Sequence, residues 1–227
     1  MVAVDEPLVV HGEADRFVGR GGHKLEAALL AFAIDVTGRR FADLGASTGG
    51  FTDCLLQHGA REVVAVDVGR GQLHERLRRD GRVVSVEGCN VRSVEAAAIG
   101  GPFDGVVADL SFISLRTVAP AVVGLLRPDA TAVLLVKPQF EAGRRDVSRG
   151  RGVITDPSVH RAVVGAVIDT YCGAGLGLAG VIRSPLRGAS GNVEFLAAFR
   201  VGAPSPADGA IGAMLDAVTD RSDDVDA

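Results

Sequence analysis

Residues 40–51 read RFADLGASTGGF, and this stretch decides the fold. A short run rich in apolar residues, 40–44, gives way to Gly45-Ala46-Ser47-Thr48-Gly49-Gly50, and a helix-like segment follows. Glycine allows sharp turns and close approach of a ligand to the backbone, and a helix N-terminus presents free N–H groups. Strand, glycine loop and helix in that order open a doubly wound α/β domain built around a nucleotide.

The pattern on either side agrees. Strands are expected at 40–44, 62–67, 82–86, 104–109 and 131–137, and helices at 49–58, 71–79, 114–126 and 157–172. Near-continuous apolar strands alternating with helices predict a parallel sheet covered on both faces. Further on, strands at 178–183 and 192–200 are joined by SPLRGASG, a turn-rich connection with no helix, so an antiparallel pair closes the sheet. Upstream, Leu25, Ala28, Leu29 and Phe32 recur at helical spacing and Gly38 ends the segment. Residues 1–20 read as a terminal strand and connector. At the other end, Ile211, Met214, Leu215 and Val218 give 206–218 an amphipathic helical pattern, and the acidic tail beyond has a disordered composition.

Composition bounds the function. A chain of 227 residues can bury about 70% of its unfolded surface. No apolar run approaches the roughly 20 residues that span a bilayer, and Asp5 and Glu6 break any signal-peptide pattern. Cys54, Cys89 and Cys172 are scattered without metal-ligand spacing, which points to free thiols in the cytoplasm and to no bound metal. Residues 216–227 hold five Asp and one Arg, so this tail carries the whole formal charge of −4 and leaves the body neutral. Neutral balance neither favours nor excludes RNA. Of 24 basic residues, only Lys24 and Lys137 are lysines. Lysine can lose its proton when desolvated, whereas a guanidinium effectively cannot.

The cofactor signals extend beyond the loop. Asp67, followed by Val68, ends the second strand, where a carboxylate can accept ribose hydroxyls. Glu87 and Asn90 follow the third strand, with Asn90 placed for an adenine edge. Ser47 stands where the dinucleotide fingerprint has its second glycine. Its side chain would crowd a pyrophosphate but suits the polar end of a methionine moiety. S-adenosylmethionine is therefore the expected ligand of Asp43, Gly45, Ser47, Thr48, Gly49, Gly50, Phe51, Asp67, Val68, Glu87, Asn90 and Asp109.

The segments FVGRGGHKL (17–25), DLGASTGGFT (43–52), AVDVGRGQL (65–73), VVADLSFISL (106–115), LLVKPQFE (134–141) and SPLRGASGNVEFL (184–196) resemble the TlyA family of FtsJ-like rRNA cytidine-2′-O-methyltransferases, also named hemolysin A. The resemblance runs in order through residues 17–200. It implies a Rossmann-like class I methyltransferase, a mostly parallel seven-stranded sheet with one antiparallel strand and helices on both faces. It also implies a catalytic Lys-Asp-Lys-Glu set at Lys24, Asp109, Lys137 and Glu194. The chain's only two lysines thus fall on the two positions that need lysine. Lys137, held extended by Pro138, would act as base, with a cationic sulfonium nearby making its proton easier to lose. Asp109 would orient that amine, and Lys24 and Glu194 would complete the charge network. Read alone, Glu194 sits on a half-exposed strand and Asp109 could cap a helix.

Arg144, Arg145, Arg149 and Arg151 follow VKPQFE in a glycine-bearing loop and, with Arg20, suit RNA phosphates. The expected organisation is a connector at 1–20, a catalytic domain at 21–202, and a helix with an acidic tail at 203–227. The S4 RNA-binding domain that the family carries is expected to be missing. Ribosomal RNA and ribosomal subunits are the implied partners. Competing readings are a non-catalytic ribosome-binding protein, a small-molecule O-methyltransferase and a membrane-active hemolysin. The last would need a long apolar span or a basic amphipathic helix.

Overall fold

The computed structural model describes residues 15–143, 147–148, 150 and 152–220. Its strands are β1 (Arg40–Leu44), β2 (Glu62–Asp67), β3 (Val83–Glu87), β4 (Phe103–Ala108), β5 (Leu126–Val136), β6 (Leu176–Arg183) and β7 (Phe195–Val201). They form one sheet in the order β3-β2-β1-β4-β5-β7-β6. Every pairing is parallel except those of β7, which runs antiparallel to both β5 and β6. This is the expected class I arrangement with one reversed strand. The helices are α1 (Gly21–Ala31), α2 (Gly50–Gln57), α3 (Glu75–Arg78), α4 (Leu115–Gly124), α5 (Pro138–Glu141), α6 (Pro157–Gly173) and α7 (Asp208–Thr219).

Period-two alternation feeds two cores. Along β5, Ala132, Leu134 and Val136 join one buried cluster, which includes residues of α4, α6 and α7, while Val133 and Leu135 join the other, which includes residues of α1 and α2. Along β7, Phe195, Ala197 and Phe199 face the first layer, and Leu196 and Ala198 face the second. Both faces of these strands are therefore dry, which is why they read as unbroken apolar runs. Gly105 is fixed by the same packing. It lies in register with Phe41, and a Cβ there would stand 2.1 Å from the Phe41 ring.

The chain runs from β1 outward through β2 and β3, then returns to start β4 on the other side of β1. Strand order reverses between β1 and β4, and ligands of open α/β sheets bind in the crevice at the carboxyl ends of such a pair. Asp43-Leu44-Gly45 and Ala108-Asp109 meet there: the Asp109 N–H donates to Leu44 O at 3.0 Å.

Several boundaries differ from expectation. Of the terminal segment, residues 15–20 form bends and a turn, and Phe17 is buried against Gly22, where a Cβ would sit 2.2 Å from its ring. The helix expected at 71–79 shrinks to Glu75–Arg78. Its leading residues are held as a loop, with Gly69 N–H donating to Asp67 Oδ1 and Gly71 N–H to Glu87 Oε1. Strand β5 starts at Leu126, five residues early, and passes through Asp129 at φ 62°. Strand β7 starts at Phe195, so Glu194 precedes it. Likewise Asp109 and Lys137 lie one residue beyond β4 and β5.

Candidate active site

The glycine loop folds through three left-handed residues, Gly45 (φ 81°), Ser47 (φ 49°) and Gly49 (φ 98°). At Gly45 a Cβ would come within 2.6 Å of Asp109 O, so glycine lets the ends of β1 and β4 close up. Ser47 is not glycine and accepts the strain of its position. Its N–H donates to Asp67 Oδ2 at 2.8 Å, which ties the loop to the end of β2. Asp67 Oδ1 accepts Gly69 N–H at 2.7 Å. Each carboxylate oxygen thus keeps a second lone pair for an incoming hydroxyl.

Two clefts meet at this edge. One, of about 420 Å³, is lined by Asp67, Val68, Gln72, Asn90, Leu110 and Ile113 among others. A second, of about 210 Å³, is lined by Arg20, Gly21, Thr48, Gly50, Phe51 and Lys137 among others. Gly45, Ser47, Asp109 and Ser111 belong to both. The larger cleft has aliphatic walls and polar ends, as a nucleoside slot needs, and Val68 is 72% exposed within it.

Most of the expected cofactor residues come together here, but three do not. Asp43 is wholly buried behind the loop, where its Oδ2 accepts the Thr52 hydroxyl at 2.7 Å. Its Oδ1 has no hydrogen-bond partner among the described residues. Burial pushes this carboxyl up to about 7, against the pull of the Thr52 hydroxyl. Gly49 packs against Leu77 and Leu73 rather than lining either main cleft. Glu87 is occupied with Gly71 N–H. Asn90 lines the larger cleft, although its Oδ1 already accepts Arg92 N–H.

The four expected catalytic residues form two ion pairs. Lys137 Nζ stands 2.6 Å from Asp109 Oδ1, and it also donates to Ser111 Oγ at 3.0 Å. The Phe140 ring lies 5.9 Å from the same nitrogen. This pair borders the smaller cleft. Lys24 Nζ stands 2.5 Å from Glu194 Oε2, and this second pair lies behind the wall, with side chains 8% and 3% exposed. Glu194 is therefore buried, not half-exposed as its place on a strand alone suggested. Gly188 covers its carboxylate, since a Cβ there would stand 2.5 Å from Oε1. The two pairs share helix α1: Gly21 faces Asp109 and Phe51, and Lys24 follows on the same helical face. The helix-cap reading of Asp109 falls away, because Ser114 caps α4 by accepting Arg116 N–H.

Arg20 lines the smaller cleft and donates to Arg187 O at 2.6 Å, which joins the segment before α1 to the 184–191 connection. Arg144, Arg145, Arg149 and Arg151 lie outside the described residues. Three further residues were not singled out by sequence, although all lie in motifs quoted above. Ser111 touches the lysine. Phe112, at φ 63° and 91% exposed, lines the larger cleft and packs its ring 5.1 Å from that of Phe140. A bulky residue held in the left-handed region and presented to solvent is a strained feature of the cleft rim. Glu141, buried, accepts the Ser114 hydroxyl and Leu115 N–H at 2.5 Å each, which fastens the turn after Lys137 to the start of α4. Burial raises its carboxyl, opposed by those donors.

A sequence profile described as FtsJ-like methyltransferase matches residues 17–201. The 16S/23S rRNA (cytidine-2′-O)-methyltransferase TlyA of Mycobacterium tuberculosis is 54% identical over 189 residues, covering 83% of this chain and 70% of that protein. The crystal structure of a hemolysin candidate from Lactococcus lactis is 40% identical with a TM-score of 0.84, covering 91% of this chain and all of that one. The N-methyltransferase NodS of Bradyrhizobium japonicum, in complex with S-adenosyl-l-homocysteine, reaches a TM-score of 0.58 at 19% identity, over 79% of this chain and 86% of that one. At that identity the likeness concerns the fold alone, that of class I methyltransferases. Among the described residues no helix is long and apolar enough to cross a membrane. With the profile spanning the glycine loop, both lysines and Glu194, the chain belongs to the FtsJ-like methyltransferases.

Proposed function

We propose that this chain transfers a methyl group from S-adenosylmethionine to a ribose 2′-hydroxyl, that of a cytidine in 16S or 23S rRNA. One observation carries the reading: the Lys137 amine borders the smaller cleft and is held there by Asp109 and Ser111, which line both clefts. The name of the 54% identical relative supports the same acceptor.

The residues fit the cofactor. Asp67 has lone pairs left for ribose hydroxyls, while Val68, Leu110 and Ile113 offer apolar surface to a purine and Asn90 a polar edge. Ser47 and Thr48 are exposed where a methionine carboxylate or amine needs partners. Asp43 and Gly49 shape the loop from behind. S-adenosylmethionine supplies an electrophilic methyl carbon on a sulfonium.

The protein's own task is to handle a proton. A ribose hydroxyl is a poor nucleophile until its proton begins to leave, and a positioned base contributes about 10²–10⁴-fold. Lys137, once it has lost its own proton to solvent beside the sulfonium, accepts the hydroxyl proton at Nζ, and Asp109 stabilises the ammonium that results. Lys24 and Glu194 stiffen the wall behind the acceptor. Phe112 and Phe140 give the rim a surface on which an unstacked base can lie. Arg20 contributes positive charge for phosphate, as do the four arginines of the 144–151 segment. Residues 21–202 form the catalytic unit in this reading.

The test is labelled methyl transfer from S-adenosylmethionine to purified ribosomal subunits, comparing wild type with Lys137→Arg. Wild type is expected to label rRNA, and the variant to retain under about 1% of the rate. Equal transfer by both proteins would end the lysine-base mechanism. Transfer only to free small hydroxylated acceptors, with none to rRNA, would replace the substrate.

A further inference from the structure

We infer that Ser111 is a positioning residue for the lysine base, fixing the direction of the Lys137 lone pair. This rests on the methyl-transfer reading above and adds a residue to it. A lysine amine that is ready to accept a proton is neutral, with two N–H bonds and one lone pair. Lys137 Nζ has two oxygen partners: Asp109 Oδ1 at 2.6 Å and Ser111 Oγ at 3.0 Å. The number of acceptors equals the number of donors on the neutral amine. With both N–H bonds committed, the lone pair has one direction left.

Location supports the same role. Ser111 borders both clefts, so its hydroxyl stands at the junction where methyl donor and acceptor must meet. Leu110 before it is buried, and Phe112 after it holds a left-handed φ of 63°. A four-carbon lysine side chain otherwise has many rotamers, and only one places the nitrogen for in-line proton removal. One carboxylate oxygen sets a distance, but it leaves the amine free to rotate about that contact. A second acceptor on a different part of the loop removes the rotation. The Ser111 hydroxyl keeps its own proton for the bound donor or acceptor.

The test uses two variants and two readouts. Ser111→Ala removes the acceptor, and Ser111→Thr keeps a hydroxyl at the same carbon in a cleft wall with room for a methyl group. Single-turnover methylation of ribosomal subunits at saturating S-adenosylmethionine is expected to slow about 10–100-fold in Ser111→Ala. S-adenosylhomocysteine affinity should stay within about twofold of wild type, and Ser111→Thr should recover most of the rate. The second readout does not require turnover. The chain has only two lysines, so ¹⁵N-lysine labelling gives two side-chain amine resonances. In Ser111→Ala the Lys137 resonance should move or exchange faster, while that of Lys24 stays in place.

Wild-type methylation by Ser111→Ala would overturn the inference, as would an unmoved Lys137 resonance. A loss of S-adenosylhomocysteine affinity parallel to the rate would instead make Ser111 a cofactor contact. If wild type itself transfers no methyl, the methyl-transfer reading fails; the resonance still decides whether Ser111 holds the amine.

Discussion

The molecule contains the same chemical pair twice, in two settings. Lys137–Asp109 has side chains 11% and 25% exposed and borders a cleft, whereas Lys24–Glu194 has 8% and 3% exposed and is roofed by Gly188. Both join a lysine to a carboxylate at about hydrogen-bonding distance, so contact geometry alone does not separate them. Access does. A pair open to the cleft can exchange a proton with an acceptor, and a sealed pair can only hold its charges. The sealed pair also joins α1 to the residue before β7, elements 170 positions apart in the chain.

That contrast is best broken by removing one partner at a time. Glu194→Ala strands a buried ammonium, and breaking such a pair costs about 3–5 kcal/mol. Urea denaturation should report a loss of that order. Replacing both partners by apolar residues of similar volume should recover much of the stability but none of the methylation. If Glu194→Ala is as stable as wild type, the pair is not sealed.

A second effect comes from the carboxyl behind the glycine loop. Asp43 is pushed up to about 7 from 3.8, so the folded protein holds this proton more tightly than the unfolded chain does. Its contribution to stability is complete below pH 4 and is lost as pH rises through 7. Asp43→Asn cannot titrate. The stability of this variant relative to wild type should therefore rise between pH 4 and pH 8, by about 2–4 kcal/mol at full effect. Parallel stability curves for the two proteins across that range would refute the buried, protonated assignment.

The open pair should behave in the opposite sense to the sealed one. Asp109→Asn keeps the shape and removes the charge beside Lys137. Methyl transfer should fall about 10²-fold, while folding stability changes by less than about 1 kcal/mol because the pair is partly solvated. A large stability loss with unchanged turnover would reverse the assignment of the two pairs. The smallest effect belongs to the rim. Phe112→Gly relieves a left-handed backbone at an exposed site and should alter stability by under about 1 kcal/mol, while weakening productive use of RNA. Unchanged RNA methylation would take Phe112 out of the site.

How much of this was legible before the structure depends on the distance over which each feature is decided. The glycine loop, the strand-end acid Asp67 and the order of the β/α units are local patterns and stand where expected, and Asp109 falls one residue past its strand on the same edge. Periodicity gave a parallel sheet closed by an antiparallel pair, and the family resemblance implied the seven strands with a single one reversed. Glu194, half-exposed when its strand is read alone, is buried because Lys24 and Gly188 close over it, and a local strand pattern carries no record of either. The helix expected at 71–79 failed for a related reason. Asp67 and Glu87 capture the N–H groups of Gly69 and Gly71, so backbone donors that would begin a helix are used across the loop. Ser111 lies within VVADLSFISL, yet its contact is made with Lys137, 26 residues away, which no local pattern records.

The central claim, that this chain methylates a ribose hydroxyl, has a direct measurement. Ribosomal subunits are incubated with labelled S-adenosylmethionine and wild-type protein, and the rRNA is digested to nucleosides and separated. The label is predicted in 2′-O-methylcytidine, at a rate that collapses in Lys137→Arg. Label in a base-methylated nucleoside, or at an undiminished rate in the variant, would contradict it.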